Sequence, residues 1–314
     1  GCSAARNLPM EDNPILVLSG PTASGKTAIA LSLARAFSLE IISADSMQVY
    51  RGMDIGTAKP TPAQRAEVPH HLVDVADPDE KFSAGRFVAG AEEAIRGIRK
   101  KGRLPLVAGG TGMYIRSLLR GLDSLPADPG VRARLIRRWE EDGGKALFGE
   151  LKRIDPVSAA KIHPSDRVRI VRSLEVAEMT GEPAGGRKAS WASGGSRYRV
   201  LFLVLSIERE ELYRRIDRRV EEMFRAGLVE EVNGLLARGY GRDLASMGAL
   251  GYRHVLSHLL DGISRDQAVG QMKRDTRRYA KRQVTWLSGE TGVIRLAEGR
   301  ASEAAAEEAR KFLF

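Results

Sequence analysis

Residues 15–27 read ILVLSGPTASGKT, and this stretch decides the fold. Ile15–Leu18 is a short apolar run with the character of a buried strand. Gly20, Pro21, Thr22, Ala23, Ser24, Gly25, Lys26 and Thr27 fit the pattern G-x-x-x-x-G-K-T, and the following AIALSLARAF has helical spacing. Strand, glycine-rich turn and helix are the context a phosphate-binding loop requires. Gly20 and Gly25 let the backbone turn its N–H groups inward, and the helix start adds unpaired N–H groups and a positive dipole end. Lys26 is placed to reach an outer phosphate, and the Thr27 hydroxyl is a candidate ligand for Mg²⁺. A nucleotide such as ATP and another diphosphate both satisfy this pattern.

The chain has 314 residues, enough for one large domain or two. Its formal net charge of +10 suits a polyanionic partner. The single cysteine, Cys2, allows no disulfide within the chain, as expected of a reducing compartment. The opening GCSAARNLPMEDN lacks the apolar core of a signal peptide, and no stretch approaches 18 apolar residues. The expectation is a cytoplasmic protein with no membrane span.

Outward from the loop, Leu39–Ser43 and Leu104–Ala108 read as further buried strands, with helices over 28–37 and Phe82–Lys101. Repeated strand–loop–helix units predict an α/β fold, a mostly parallel sheet flanked by helices. After Gly121 the periodicity turns helical over 131–180, and GEPAGGRKASWASGGSRYR, 181–199, reads as a flexible connector. Val200–Ile207 reads as a strand rejoining the sheet. A long helix, or a pair broken near Gly227, follows over 208–235. The expected organisation is therefore a core over 14–124, an inserted helical lobe and connector over 125–199, and completion of the core with basic helices over 200–314.

Asp45 follows the second strand, where open α/β sheets bind ligands, and is the leading catalytic candidate. Capping of a local turn by Asp45 and Ser46 is the alternative. Gln48 has a side chain able to pair with an adenine edge, or is structural. The turn GGTGMY, 109–114, places Thr111 either at a phosphate or at a helix start. His70 and His71, near Asp74 and Asp77, lack metal-site spacing and read as packed or hydrogen-bonding. Arg215 and Arg219 are i,i+4 neighbours able to form an anion clamp, with pairing of Arg215 to Glu211, or of Arg219 to Glu222, as the alternative. Lys273, Arg274, Arg277, Arg278, Lys281 and Arg282 crowd one side of a helix over 263–287, a face suited to a nucleic-acid backbone.

SADSMQVYRGMDIGTAKP (43–60), GGTGMYIRSLLRG (109–121), DPVSAAKIHPSDRVRIVRSLEV (155–176), MGALGYR (247–253) and AKRQVTWL (280–287) together resemble the tRNA dimethylallyltransferase family, the adenosine isopentenyltransferases. The resemblance runs from about Pro14 to Leu287. It implies a P-loop NTPase-like fold that binds dimethylallyl diphosphate and moves its prenyl group to N6 of the adenine just 3′ of the anticodon in tRNA. It implies a monomer that uses Mg²⁺ and does not hydrolyse ATP. By motif, Asp45 is the general base and Thr111 lies near the reacting groups with Lys26. Ser46, Met47 and Gln48 lie near the target base, and Arg215 holds diphosphate. Arg132, Arg169 and Arg172, then Gly251, Tyr252 and Arg253, then Lys281, Arg282 and Gln283 are implied to contact the tRNA anticodon arm. Two readings compete. A P-loop kinase for a small metabolite would use the same cradle with ATP. A GTPase-like RNA-binding module would need an N-K-x-D guanine motif, which the chain lacks.

Overall fold

The computed structural model describes residues 13–121, 127–186 and 196–314. Cys2 and the opening stretch, part of the turn LDSLPADPG, and most of the Gly/Ser connector lie outside the described residues. The chain forms two compact units, one from Gly1–Leu119 with Ser196–Phe314 and one from Arg120–Gly195.

In chain order the elements are β1 (Pro14–Ser19), α1 (Lys26–Phe37), β2 (Leu39–Ser43), α2 (Pro62–Glu67), β3 (His70–His71), α3 (Ala84–Lys100), β4 (Leu104–Gly109) and α4 (Gly112–Arg120). The second unit holds α5 (Pro129–Asp142), α6 (Lys145–Ile154), α7 (Pro156–Ala159) and α8 (Arg167–Thr180). The first resumes with β5 (Arg199–Ser206), α9 (Arg209–Arg225), α10 (Leu228–Ala237), α11 (Tyr252–Leu260), α12 (Arg265–Ser288), β6 (Val293–Ala297) and α13 (Ala301–Leu313).

All six strands are parallel, in the order β3-β2-β4-β1-β5-β6. Alternation along β1 explains the layers, because successive side chains point to opposite faces. Leu16 and Leu18 pack with Leu31 and Leu33 of α1 and Ala305 and Ala309 of α13. Ile15 and Val17 pack with Phe87, Ile95 and Ile98 of α3 and Ile115 and Leu118 of α4. A sheet covered on both faces needs apolar residues at every position, and all six residues of β1 are buried. β1 sits between β4 and β5, while the chain leaves it for β2 beyond β4. The carboxyl end of β1 is thus a topological switch point, where such sheets bind ligands.

A third apolar cluster is helical. Leu212, Ile216, Val220 and Phe224 of α9 pack with Leu228 and Val232 of α10, Val255 of α11 and Met272 of α12. Gly227, at φ 101°, breaks α9 from α10, so the broken-pair alternative is the observed one. The sequence reading passed over β3 and β6. β3 has only two residues, and β6 is a half-exposed edge strand without the continuous apolar run of β1.

In the second unit, Leu135, Leu147, Leu151, Ile170 and Leu174 form a separate core. The buried Glu175 carboxylate accepts hydrogen bonds from the Asp128 N–H at 3.0 Å and from Arg132 and Arg172, both at 2.8 Å. These two arginines therefore also serve the lobe's own packing. Arg169 is more exposed and pairs with Asp166, the N-cap of its helix.

At the amino end of β2, the fully buried Glu40 accepts from His71 at 2.7 Å and from Lys101 at 3.2 Å, with Arg103 at 3.3 Å. Burial pushes its carboxyl up, but the hydrogen bonds from His71 and Lys101 outweigh this and hold it below the usual carboxylate range. The ionised form is therefore favoured in the fold. Its contribution is complete above about pH 5 and is lost as the pH falls through the depressed value. Glu40→Gln is expected to lower unfolding free energy by roughly 1 to 2 kcal/mol at pH 7, because it removes charge-assisted hydrogen bonds to partners that are themselves partly exposed. Urea titration at pH 7 checks this, and the deficit should shrink on acidification.

Candidate active site

The loop between β1 and α1 is a compact anion cradle. Ala23 and Gly25 have φ of 63° and 90°, left-handed values between right-handed neighbours. Such alternation turns successive N–H groups toward one point. Gly25 is also the N-cap of α1 and supplies no side-chain cap. The Lys26 ammonium donates to the carbonyls of Gly20 at 2.9 Å and Pro21 at 2.7 Å. Burial, reinforced by the neighbouring Arg219 cation and opposed by Asp45, lowers its pKa to about 7.

The rest of the site is stitched to this loop by hydrogen bonds. The Ala44 N–H donates to the Ala108 carbonyl at 2.9 Å, and the Thr111 N–H to the Ala44 carbonyl at 3.1 Å. These bonds continue the β2–β4 pairing beyond the strands and bring Asp45 and Thr111 together. The Thr111 hydroxyl accepts the Ser46 N–H at 3.1 Å. The Oδ1 atom of Asp45 accepts the N–H groups of Met47 at 2.8 Å and Gln48 at 3.3 Å. Both readings of Asp45 therefore apply: one oxygen holds a turn, and among the described residues the other has no hydrogen-bond donor.

Asp45 lines two cavities. The smaller, about 60 Å³, also meets Lys26, Thr27, Ser43, Gln48 and His70. The larger, about 230 Å³, is walled by Met47, Ile216, Val220, Met223 and Met272, with Arg219, Thr276, Tyr279 and Arg282 among its polar groups. Thr22 of the loop reaches this cavity too. Burial disfavours the Arg219 guanidinium, with Asp45 and Glu222 partly compensating. No carboxylate among the described residues pairs with it, so an anion in the cavity would satisfy it. Burial, then the Asp45 charge, pushes the Tyr279 hydroxyl up, with Arg282 and Thr111 acting the other way. Tyr279 is thus a neutral hydroxyl at neutral pH, and the Arg282 guanidinium lies 5.6 Å from its ring centroid.

Several expected site residues fall elsewhere. Arg215, expected to hold diphosphate, pairs with Glu211 at 2.7 Å and also with Glu298, and it does not line either cavity. Arg219, one turn further along α9, takes the cavity-facing place. Gly251 and Tyr252 are buried and offer no surface to an RNA. Gln283 is buried as well: it accepts the Thr22 N–H at 2.8 Å and donates to the Gly110 carbonyl at 3.1 Å. It clamps the phosphate loop to the turn after β4. A Cβ on Gly110 would come within 2.1 Å of the Gln283 amide nitrogen, which explains a glycine there. Gln48 is engaged by Ser43 at 2.9 Å and by the carbonyls of Thr57 and Ala58 at 3.3 Å.

Arg253 is exposed but pairs with Asp275 at 2.5 Å. On the basic face of α12, Lys273 pairs with Glu221, Arg277 with Asp217 and Arg278 with Asp275. Among the described residues Arg274, Lys281 and Arg282 have no carboxylate partner, so the cationic face is narrower than the sequence suggested. Sequence reasoning missed Tyr279 and Thr276 as cavity residues. Their only signal was helical phase, since 276, 279 and 283 share one face of α12. The His70 Nδ1–H donates to the Val68 carbonyl at 2.7 Å, and no cluster of three metal-ligating His, Cys, Asp or Glu side chains occurs among the described residues.

A parallel sheet with a phosphate loop at its switch point defines a protein of the P-loop NTPase-like class. Residues 48–290 match the IPP transferase family and residues 13–72 the isopentenyl transferase family. The tRNA dimethylallyltransferase of Desulfosudis oleivorans is 50% identical over 281 residues, covering 89% of this chain and 90% of that protein. That of Geobacter sulfurreducens is 48% identical, covering 87% and 88%. The crystal structure of the full-length tRNA isopentenylpyrophosphate transferase of Bacillus halodurans matches with TM-score 0.70 and 37% identity, over 96% of this chain and 98% of that one. A eukaryotic dimethylallyltransferase acting on tRNA matches with TM-score 0.75 and 26% identity, over 96% and 79%. The chain belongs to the IPP transferase family.

The placement of the two arginines makes a direct test. Arg219→Gln is expected to weaken inorganic diphosphate binding roughly 10- to 100-fold, the range for a charge-assisted hydrogen bond. Arg215→Gln should change it less than about threefold, since an exposed pair carries little. Isothermal titration at fixed salt compares them.

Proposed function

We propose that this protein transfers a dimethylallyl group from dimethylallyl diphosphate to N6 of the adenine 3′ of the anticodon in tRNA, releasing diphosphate. The observation that carries this reading is the position of Asp45. Its undonated carboxylate oxygen lies where the phosphate cradle meets a cavity with an apolar wall. Membership of the IPP transferase family supports the reading, and the relatives named above act on tRNA rather than on small-metabolite phosphoryl acceptors.

In the reaction N6 attacks the prenyl carbon bonded to diphosphate, that carbon–oxygen bond breaks, and negative charge grows on the leaving oxygen. Lys26, Arg219 and the loop N–H groups stabilise that charge without reorganising, because the fold has already placed them. Asp45 takes the proton that N6 gives up as the new bond forms. Thr111, bonded to the Ser46 N–H, and Tyr279, which lines the larger cavity with Asp45, orient the amino group. The methionines and aliphatic side chains of the larger cavity exclude water and pack the prenyl chain and base. Exposed Arg274, Lys281 and Arg282 of α12 take RNA phosphates, and Arg169 of the lobe contacts the anticodon arm.

Mg²⁺ is part of the proposal. The small cavity offers the Thr27 hydroxyl, a hard oxygen donor whose coordination phosphate oxygens and water would complete. A bound magnesium ion would neutralise diphosphate charge as the leaving group departs. The protein is proposed to work as a monomer in the cytoplasm. No helix among the described residues is long and apolar enough to cross a membrane.

Asp45→Asn should retain tRNA binding and lose about 10²- to 10⁴-fold in single-turnover transfer of labelled dimethylallyl groups. A normal rate would overturn the assignment of the base. Lys26 supplies a pH test. Burial lowers its pKa to about 7, and a bound anion favours the charged form. Affinity for prenyl diphosphate should therefore fall as pH rises through 7, more steeply than for Lys26→Arg, whose guanidinium stays charged.

A further inference from the structure

The segment Gly52–Pro60 runs between β2 and α2 without strand or helix of its own, yet it walls the larger cavity through Gly56 and Thr57. Three successive N–H groups in it converge on one side chain of a distant helix. The Glu231 carboxylate, in the first turn of α10, accepts from Asp54 at 3.0 Å and Ile55 at 2.8 Å through Oε2, and from Gly56 at 3.2 Å through Oε1. The Tyr252 hydroxyl donates to the same Oε1 at 2.6 Å. Gly56 lies flat on the Tyr252 ring, where a Cβ would come within 2.5 Å of a ring carbon. The far end of the segment then turns its Thr57 and Ala58 carbonyls to the Gln48 amide, and the Gln48 N–H donates to Asp45.

We propose that Glu231 is a positioning residue for the acceptor side of the reaction. Its carboxylate holds residues 54–56 in the shape that walls the cavity and, through the Thr57 and Ala58 bonds to Gln48, fixes the turn that presents Asp45 to the purine base. This rests on the transferase reading above. Glu231 itself lines neither cavity, so it acts through the loop. A carboxylate suits the place because it only accepts, and all four of its partners donate. An amide there would turn an NH₂ group toward N–H or O–H donors. The diphosphate cradle, fastened separately by Gln283, does not depend on this carboxylate. The loss should therefore fall on one substrate.

The experiment measures single-turnover transfer, the KM for an anticodon stem-loop and the Kd for dimethylallyl diphosphate in wild type, Glu231→Gln, Gln48→Ala and the double variant. Glu231→Gln should slow transfer roughly 10- to 100-fold, the scale of an ångström-level misplacement, and raise the stem-loop KM, with the diphosphate Kd within about twofold. The double variant should be little worse than Glu231→Gln, since both act through one loop. Tyr252→Phe keeps the ring under Gly56 and removes one donor. It should shift the same parameters in the same direction by less, and it serves if Glu231→Gln does not fold. Equal losses for both substrates, additive losses in the double variant, or unchanged transfer would overturn the proposal. Failure of the wild type to label the stem-loop would instead overturn the transferase reading.

Discussion

The carboxamide of Gln283 joins the two parts of the site that have to stay in register, accepting from Thr22 in the phosphate loop and donating to Gly110 after β4. These segments leave adjacent strands at their carboxyl ends, and backbone pairing alone stops short of them. The clamp comes from α12, a helix about 170 residues beyond Gly110 in sequence, and the same face of α12 carries Thr276 and Tyr279 into the cavity. Helical spacing of three and four residues thus converts one anchored residue into a row of placed ones. Packing of α12 against α9 through Met272, Ile216 and Val220 supplies the rigidity that this placement needs.

Electrostatics sets the second constraint. Lys26 lines the smaller cavity and Arg219 the larger, Asp45 lines both, and burial disfavours both cations. This buried positive charge favours an anionic ligand. In such a site the cost of assembling the charges is met by folding, and the reacting group finds them already oriented. Asp45 serves the balance twice, lowering the repulsion between the cations and remaining available for a proton. Its own position depends on backbone bonds at Ala44 and Thr111, which extend the β2–β4 register past the sheet.

The surplus of positive charge is distributed with economy. Much of it is paired within the molecule: Arg132 and Arg172 with Glu175, Lys273 with Glu221, Arg277 with Asp217. Of these carboxylates Glu175 is buried, and without its two arginines it would be strongly destabilising. On α12, Arg274, Lys281 and Arg282 are exposed and have no carboxylate partner among the described residues.

The sequence by itself determined the parallel sheet and the phosphate loop. Both are written in local pattern: four apolar residues before a glycine-rich turn, then helical spacing, repeated down the chain. It also placed Asp45 and Thr111 at strand ends, which a parallel sheet brings to one edge. Tertiary structure alone decided which arginine of α9 faces the cavity, because Arg215 and Arg219 share a helical face and differ only in what packs above them. Glu298 follows β6, an edge strand too short and exposed to read, and it draws Arg215 away. Tertiary structure also turned Gln283 and Tyr252 inward. Side chains of mixed polarity fit surface and interior equally in sequence, and only the positions of their hydrogen-bond partners, far off along the chain, settle the matter.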